Sequence, residues 1–269
     1  MNILLLGDIV GPSGRKAIVE NLPKIIKKKK LDFVILNGEN SADPGVGITK
    51  KIVEEFLEVG ADVITTGNHV WDQREVVEFI TTEKRLLRPQ NMTQGSPGNG
   101  YGIFTAKNKK KVAVINLMGN VYMKKCDDVF QEAKKLAQII ELKKEADFIV
   151  VDMHAEITSE KMAMGYFFDG KATMVVGTHT HVPTADYRIM EKGTAYQTDV
   201  GMCGDYNSVI GMNKENSLKK FLKNPDAKKH FPALGKATIS GLMVTADNET
   251  GLANKVEPII VGTELENKI

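Results

Sequence analysis

Cysteine is almost missing from this chain: Cys126 and Cys203 are the only two in 269 residues, far apart and without a C-x-x-C spacing. That excludes a disulfide framework and a thiolate zinc site, and fits a reducing cytoplasm. No apolar run approaches the roughly eighteen residues that a membrane span requires, so no membrane partner is expected. An excess of one charge sign is missing too. Lysine and arginine number 36 against 34 acidic residues, a net charge of +2, which offers no general field for a stable nucleic-acid partner. The basic run Lys27 to Lys30 is therefore read locally, as charge at a helix C-terminus offsetting the helix dipole. Met1 to Asp8 lacks the basic start and the apolar length of a leader and is read as a strand. With 42% hydrophobic residues, residues 1–269 are expected to form a single domain of α/β type.

What the chain does have is a repeated device. Five apolar runs stop at polar residues of metal-ligand type: Leu4 to Asp8, Val34 to Asn40, Val63 to His69, Ile149 to His154 and Val175 to His181, and they hold four of the five histidines. Such a run reads as a buried strand whose C-terminal end opens onto a site. If the five strands share one sheet, their ends converge, and the convergent groups are His, Asp, Glu and Asn.

Between these runs the periodicity predicts helices over about Arg15 to Lys30, broken by Pro23, over Thr49 to Val59, over Gln73 to Ile80 and over Asp128 to Lys144. Gly102 to Ala106 and Val112 to Leu117 flank a hairpin tip at Lys107 to Lys110. Tyr187 to Glu191 with Thr194 to Thr198, and Thr238 to Ala246 with Ala253 to Val261, read as late antiparallel hairpins. A chain that begins parallel and ends antiparallel implies mixed sheets.

Each polar residue alone has an ordinary explanation: Asp8 as a helix cap, Asn40 and Asn68 as turn formers, a single histidine as a hydrogen-bonded loop residue. Together they do not, because unrelated turn residues have no reason to be restricted to oxygen and imidazole donors at five successive strand ends. Imidazole with carboxylate and amide oxygen and no thiolate suits manganese, iron, zinc or nickel better than calcium or magnesium. Seven candidate ligands exceed one tetrahedral site and match two ions sharing a carboxylate, an arrangement able to clamp a phosphoryl group.

Gly7-Asp8, Gly67-Asn68-His69, His154 and Gly177-Thr178-His179-Thr180-His181 resemble, in order and spacing, the signature motifs of the calcineurin-like metallophosphoesterases. Val10 stands where that family has a histidine after G-D-x, and Gly38-Glu39-Asn40 stands where it has an aspartate. Both departures resemble the YmdB-type bacterial branch. The resemblance implies a sandwich of two mixed β-sheets flanked by helices. It implies one metal on Asp8, Glu39, Asn40 and His181, and a second on Glu39, Asn68, His154 and His179, with Glu39 bridging. His69 would stand over the substrate as general acid, and a hydroxide between the metals would attack phosphorus. The implied cofactors are two transition-metal ions, iron or manganese first and zinc also compatible. The implied substrate is a small phosphodiester, a 2′,3′- or 3′,5′-cyclic nucleotide. A phosphomonoesterase, or a regulatory protein that binds metal and nucleotide with little turnover, is the alternative, and homo-oligomerisation is left open.

Several features are set aside. Gly7, Gly11 and Gly14 around Pro12 lack the spacing of a dinucleotide or P-loop motif. Asp43-Pro44-Gly45-Val46-Gly47 reads as a turn, His230 as a surface residue, and Trp71 as either core or substrate platform. Gly201 to Ser208 reads as lining either the site or a subunit contact.

Overall fold

The computed structural model describes residues 1–262 and 264–268. Elements are numbered in chain order. One sheet holds β1 (Asn2–Leu6), β2 (Asp8–Ile9), β3 (Phe33–Asn37), β4 (Val63–Thr65), β11 (Met202–Asp205), β12 (Ala237–Ala246) and β13 (Ala253–Val261). The other holds β5 (Tyr101–Thr105), β6 (Lys111–Met118), β7 (Phe148–His154), β8 (Met174–Thr178), β9 (Arg188–Ile189) and β10 (Ala195–Gln197). The helices are α1 (Gly11–Lys29), α2 (Lys50–Glu58), α3 (Val76–Phe79), α4 (Val129–Ile139), α5 (Thr158–Phe168) and α6 (Lys214–Phe221).

Period-two alternation explains the layering. Ile3 and Leu5 of β1 point one way and Leu4 and Leu6 the other, and all four are buried, as neighbours in a strand must be when both faces are covered. Ile3 and Leu5 join Phe33, Val114, Phe148 and Val150 in a core between the two sheets. Leu4 and Leu6 join Ile18 and Leu22 of α1 and Ile52 and Phe56 of α2. A third core packs Ile115, Ile149 and Val151 against Val129 and Leu136 of α4 and Met164 and Phe168 of α5. Each fully buried side chain of this size contributes about 1.5–3 kcal/mol. The result is the expected fold class: two mixed sheets face to face, with helices outside.

The five strands do not share one sheet. β1, β3 and β4 run parallel in the first, while β7 and β8 run parallel in the second. Their carboxyl ends nevertheless meet at one edge of the sandwich, so convergence is achieved across the seam.

Other expectations need adjustment. Helix α1 begins at Gly11, with Pro12 in its first turn where a missing N–H costs nothing, and it runs on through the exposed Pro23. Lys27, Lys28 and Lys29 do sit in its last turn. Helix α4 stops at Ile139, because Ile140 is extended and Lys143 adopts a φ of 69°. The third helix shrinks to Val76–Phe79. Both late hairpins form as antiparallel pairs. Helices α5 and α6 were not anticipated.

Candidate active site

Each strand ends by delivering a side chain to the seam. Asp8 follows β1, Glu39 and Asn40 follow β3, Asn68 and His69 follow β4, His154 is the last residue of β7, and His179 and His181 follow β8. The register aligns these ends: Asn37 lies beside Thr65, and His154 beside Thr178.

All eight predicted site residues come together. His154 Nε2 lies 3.0 Å from Glu39 Oε1, 3.0 Å from Asn68 Oδ1 and 3.1 Å from His179 Nδ1. Glu39, His154 and His179 offer donor atoms all within 4.8 Å of one another. On the other side of Glu39, Asn40 Nδ2 donates to Glu39 Oε1 at 3.1 Å and lies 3.2 Å from His181 Nε2. Asp8 Oδ1 is 3.8 Å from both His154 Nδ1 and His181 Nε2. Gly67 is required here by close approach. A β-carbon on it would lie 2.2 Å from His154 Nε2 and 2.3 Å from Glu39 Oε2. Val10 is buried and packs toward Gly204 and Gly211, which leaves Asn40 to reach His181.

Burial would push the Glu39 carboxyl up, but the charge and hydrogen bond of His154 hold it well below the carboxylate range. Burial would likewise lower His154, and Glu39, Asp8 and Asp152 together raise it instead. Asp8 is pushed up to about 6 by burial, against the pull of His181 and His154. His179 falls to about 3 through burial and the neighbouring charge of His154.

Asp8 Oδ1 is buried and has no hydrogen-bond partner, at a cost of roughly 1–3 kcal/mol or more. Around His154 Nε2, lone pairs outnumber protons. Both observations are those of a shell built for a cation, and the 3.0–3.1 Å separations are close to the roughly 3.4 Å between ligand atoms of a tetrahedral ion. The residues present therefore fit a metal.

Several supporting residues escaped the sequence reading. Thr178 Oγ1 lies 2.9 Å from His154 Nδ1 and donates to Asp152 Oδ1 at 2.7 Å. Asp152 is fully buried and also accepts from Thr65 and Asn37. This relay places the His154 proton on Nδ1 and turns Nε2 into the site. Asp72 Oδ2 is 2.7 Å from His69 Nδ1, and Lys124 Nζ reaches both Asp72 Oδ1 and the Asn68 carbonyl. Glu156 Oε2 lies 3.0 Å from His179 Nε2, and His181 Nδ1 donates to the Ile210 carbonyl at 2.7 Å. Asp152 already stood in the alternating run before His154, and Asp72 stood one turn after His69, which is the signal that would have found them.

A cleft of about 270 Å³ opens on these groups, lined by Glu39, Asn40, His69, Glu156, His179 and His181. Two larger grooves, of about 600 and 620 Å³, lie against α1 and share Pro12, Lys16 and Glu20. They contain none of the histidines, so chemistry places the site in the smaller cleft. Gly201 to Ser208 does not line it. Met202–Asp205 forms β11 beside β2, behind Asp8. Trp71 is half-buried against the core beneath α1 and α2, and His230 is exposed. Among the described residues, no helix is long and apolar enough to cross a membrane.

Comparison with known proteins gives a consistent picture. The model of the YmdB-like protein family matches residues 4–259. The chain is 46% identical over 264 residues to a 2′,3′-cyclic-nucleotide 2′-phosphodiesterase of Bacillus subtilis, covering 98% of each chain. It is 39% identical to a putative phosphatase/phosphodiesterase of Mycoplasma pneumoniae, covering 96% of this chain and 92% of that one. Among solved structures, it resembles a phosphatase of Mycoplasma pneumoniae with a TM-score of 0.89, 38% identity and coverage of 97% and 93%. A protein of Thermus thermophilus gives a TM-score of 0.88 at 36% identity, covering 97% and 99%.

Proposed function

Because this chain belongs to the YmdB-like protein family, we propose that it is a dinuclear metal-dependent phosphodiesterase acting on cyclic nucleotides, the 2′,3′-cyclic forms first and the 3′,5′-cyclic forms second. The observation that carries the metal part is Asp8 Oδ1, buried without a partner amid His154, His181 and Glu39. The phosphodiester part rests on the name of the Bacillus subtilis relative.

In this reading Asp8, Glu39, Asn40 and His181 hold one ion, and Glu39, Asn68, His154 and His179 hold the other. Asn40 would serve through Oδ1 once its amide turns by half a rotation. The donor set suits iron or manganese, with zinc also compatible. When bound, the ions supply Lewis acidity toward the phosphoryl oxygens and lower the pKa of water. The chain supplies the rest. Glu39 Oε2 accepts the His69 backbone N–H at 3.2 Å, which seats that histidine on the cleft wall. Asp72 Oδ2 accepts from His69 Nδ1–H at 2.7 Å, which orients the ring with Nε2 free for the reacting groups. As general acid, His69 would pass a proton from Nε2 to the departing ribose oxygen as its bond to phosphorus breaks, and the water whose oxygen adds to phosphorus would give up one proton that returns to Nε2. From a 2′,3′-cyclic nucleotide, loss of the 2′ oxygen leaves a 3′-phosphate. The cleft, smaller than the roughly 300–1,000 Å³ of sites that engulf drug-sized ligands, would enclose the phosphate and ribose and leave the base near its rim.

Metal analysis coupled to a substrate panel tests the proposal. Turnover of 2′,3′-cyclic nucleotides, and of bis-p-nitrophenyl phosphate above p-nitrophenyl phosphate, is expected. Undiminished turnover after Asn68→Ala or His154→Ala in metal-replete protein would sink it. The phosphatase wording of the Mycoplasma relatives favours a second reading, a phosphomonoesterase, which the reverse preference between the two aryl esters would support.

A further inference from the structure

Thr180 stands between two histidines with left-handed backbone, His179 at φ 95° and His181 at φ 66°. Non-glycine residues persist in that region only where the surroundings over-determine them. The surroundings here centre on one carboxylate. Asp199 Oδ2 accepts from Thr180 N at 3.1 Å, Thr180 Oγ1 at 2.7 Å and Lys161 Nζ at 2.7 Å, and Oδ1 accepts from Gly201 N at 2.8 Å. Lys161, on α5, and Asp199 each leave only 1% of their side chains exposed.

The segment carrying Asp199 is wedged between two ligand-bearing strand ends. A β-carbon at Gly177 would lie 1.8 Å from the Thr198 carbonyl oxygen, and one at Gly7 would lie 1.8 Å from the Gly201 carbonyl oxygen. Val200 N donates to Gly177 O at 3.0 Å, and Ser240 Oγ to Val200 O at 2.7 Å. Asp199 thus sits against the turn before Asp8 and the turn before His179 at once.

A buried ion pair is poor evidence of stability, since apolar residues of like volume often replace one without loss. This pair does what apolar residues cannot. Its carboxylate receives a backbone N–H and a hydroxyl from the residue between two candidate ligands. We propose that the buried Lys161–Asp199 pair is a positioning clamp. Through Thr180, it holds the His179–His181 turn so that His179 offers Nδ1 beside His154 while His181 offers Nε2 beside Asn40. The clamp rests on the metal-binding reading above.

The test uses the full chain and Mn²⁺ as probe. Thr180→Val removes the hydroxyl bond and leaves the ion pair. Lys161→Met with Asp199→Asn removes both charges together. Both metal-free variants should melt within about 3 °C of wild type, while Mn²⁺ affinity by competition titration falls about tenfold or more. KM at saturating metal should be unchanged in the double variant, whose two positions lie outside the cleft, and Thr180→Ser should restore affinity. If the double variant fails to fold, Thr180→Val decides alone. Folded variants with wild-type Mn²⁺ affinity would overturn the clamp. A wild-type protein that binds no transition metal would instead overturn the reading beneath it.

Discussion

Thr178→Val isolates the relay behind His154. The hydroxyl of Thr178 is its only polar contribution to the site, and valine keeps the β-branched shape that a central strand favours. Three buried bonds disappear: His154 Nδ1 to Oγ1 at 2.9 Å, Oγ1 to Asp152 Oδ1 at 2.7 Å, and a long one from Asn37 Nδ2 to Oγ1 at 3.4 Å. Asp152 keeps Thr65 and Asn37 on its other oxygen, so part of its need is still met. At roughly 1–2 kcal/mol for each of the two short bonds, with little from the long one because Asn37 keeps Asp152, the metal-free protein should lose about 2–4 kcal/mol. For a chain of this size, that is a melting shift of about 5–10 °C. The larger consequence concerns the imidazole. With no acceptor at Nδ1, the proton is no longer fixed there and Nε2 is no longer kept bare, and loss of such a partner typically weakens metal binding about 10–100-fold. Calorimetric titration of Mn²⁺ into the metal-free variant measures this. Thr178→Ser, which restores the hydroxyl and removes one methyl, should recover most of the affinity at a stability cost of about 1 kcal/mol. If Thr178→Val binds Mn²⁺ as wild type does, the relay does not set the His154 tautomer and the reasoning fails.

Three further outcomes follow from the geometry. His69→Gln should retain its metal complement by elemental analysis while kcat for a phosphodiester falls about 10²–10⁴-fold; a kcat near wild type would remove His69 from the reaction. Val150→Ala in the core between the sheets and Val53→Ala in the core under α2 delete equal volumes, at roughly 1–3 kcal/mol each. Only Val150→Ala should also weaken metal binding, and equal affinities in the two variants would show that the seam tolerates such a shift. Burial raises the Asp62 carboxyl against the lowering effect of the Val34 N–H, Lys107 and Arg85. The folded chain therefore keeps that proton to a higher pH than the unfolded one, and the associated stability is present at low pH and lost as pH rises through the raised value. Chemical denaturation at about pH 3 and about pH 6 should show wild type losing ground to Asp62→Asn over that interval; an unchanged difference would contradict the shift.

The strands were legible because their runs are apolar on both faces and end in polar residues. The same property hid their division between sheets: a doubly buried strand reads alike in either one, and nothing in Ile149 to Val151 or Val175 to Val176 says which neighbour it pairs with. The start of α1 was obscured because Gly11, Pro12 and Gly14 read as a turn, although proline suits a first helical turn. Helix α5 escaped because Met162, Met164, Tyr166, Phe167 and Phe168 spread large apolar side chains around it, two of them exposed, which blurs the helical stripe. β2 and β11, of two and four residues, are too short to show a period. The candidate ligands were legible as types at strand ends. The supporting roles of Asp152, Thr178 and Lys161 were not, because a polar residue inside a strand or helix reads as solvent-facing until packing shows it buried, and Asp199, between β10 and β11, reads as an ordinary loop carboxylate.

Where each donor comes from gives the two-sheet arrangement its chemical meaning. The first sheet delivers oxygen-bearing side chains, Asp8, Glu39, Asn40 and Asn68, while the second delivers the imidazoles of His154, His179 and His181. Among the predicted ligands, neither edge alone offers the mixed oxygen and nitrogen set that suits a transition metal. The contacts that unite the two kinds cross the seam: His154 to Glu39 and Asn68, and His181 to Asn40 and Asp8. Asp152 reinforces the crossing from beneath, since it sits on β7 yet accepts from Asn37 of β3 and Thr65 of β4. Packing of Ile3, Leu5, Phe148 and Val150 therefore fixes more than stability. It sets the distance between the oxygen and nitrogen halves of the candidate shell, and a cation held by both, as proposed, would in turn oppose their separation, because whatever binds only the joined state stabilises that state.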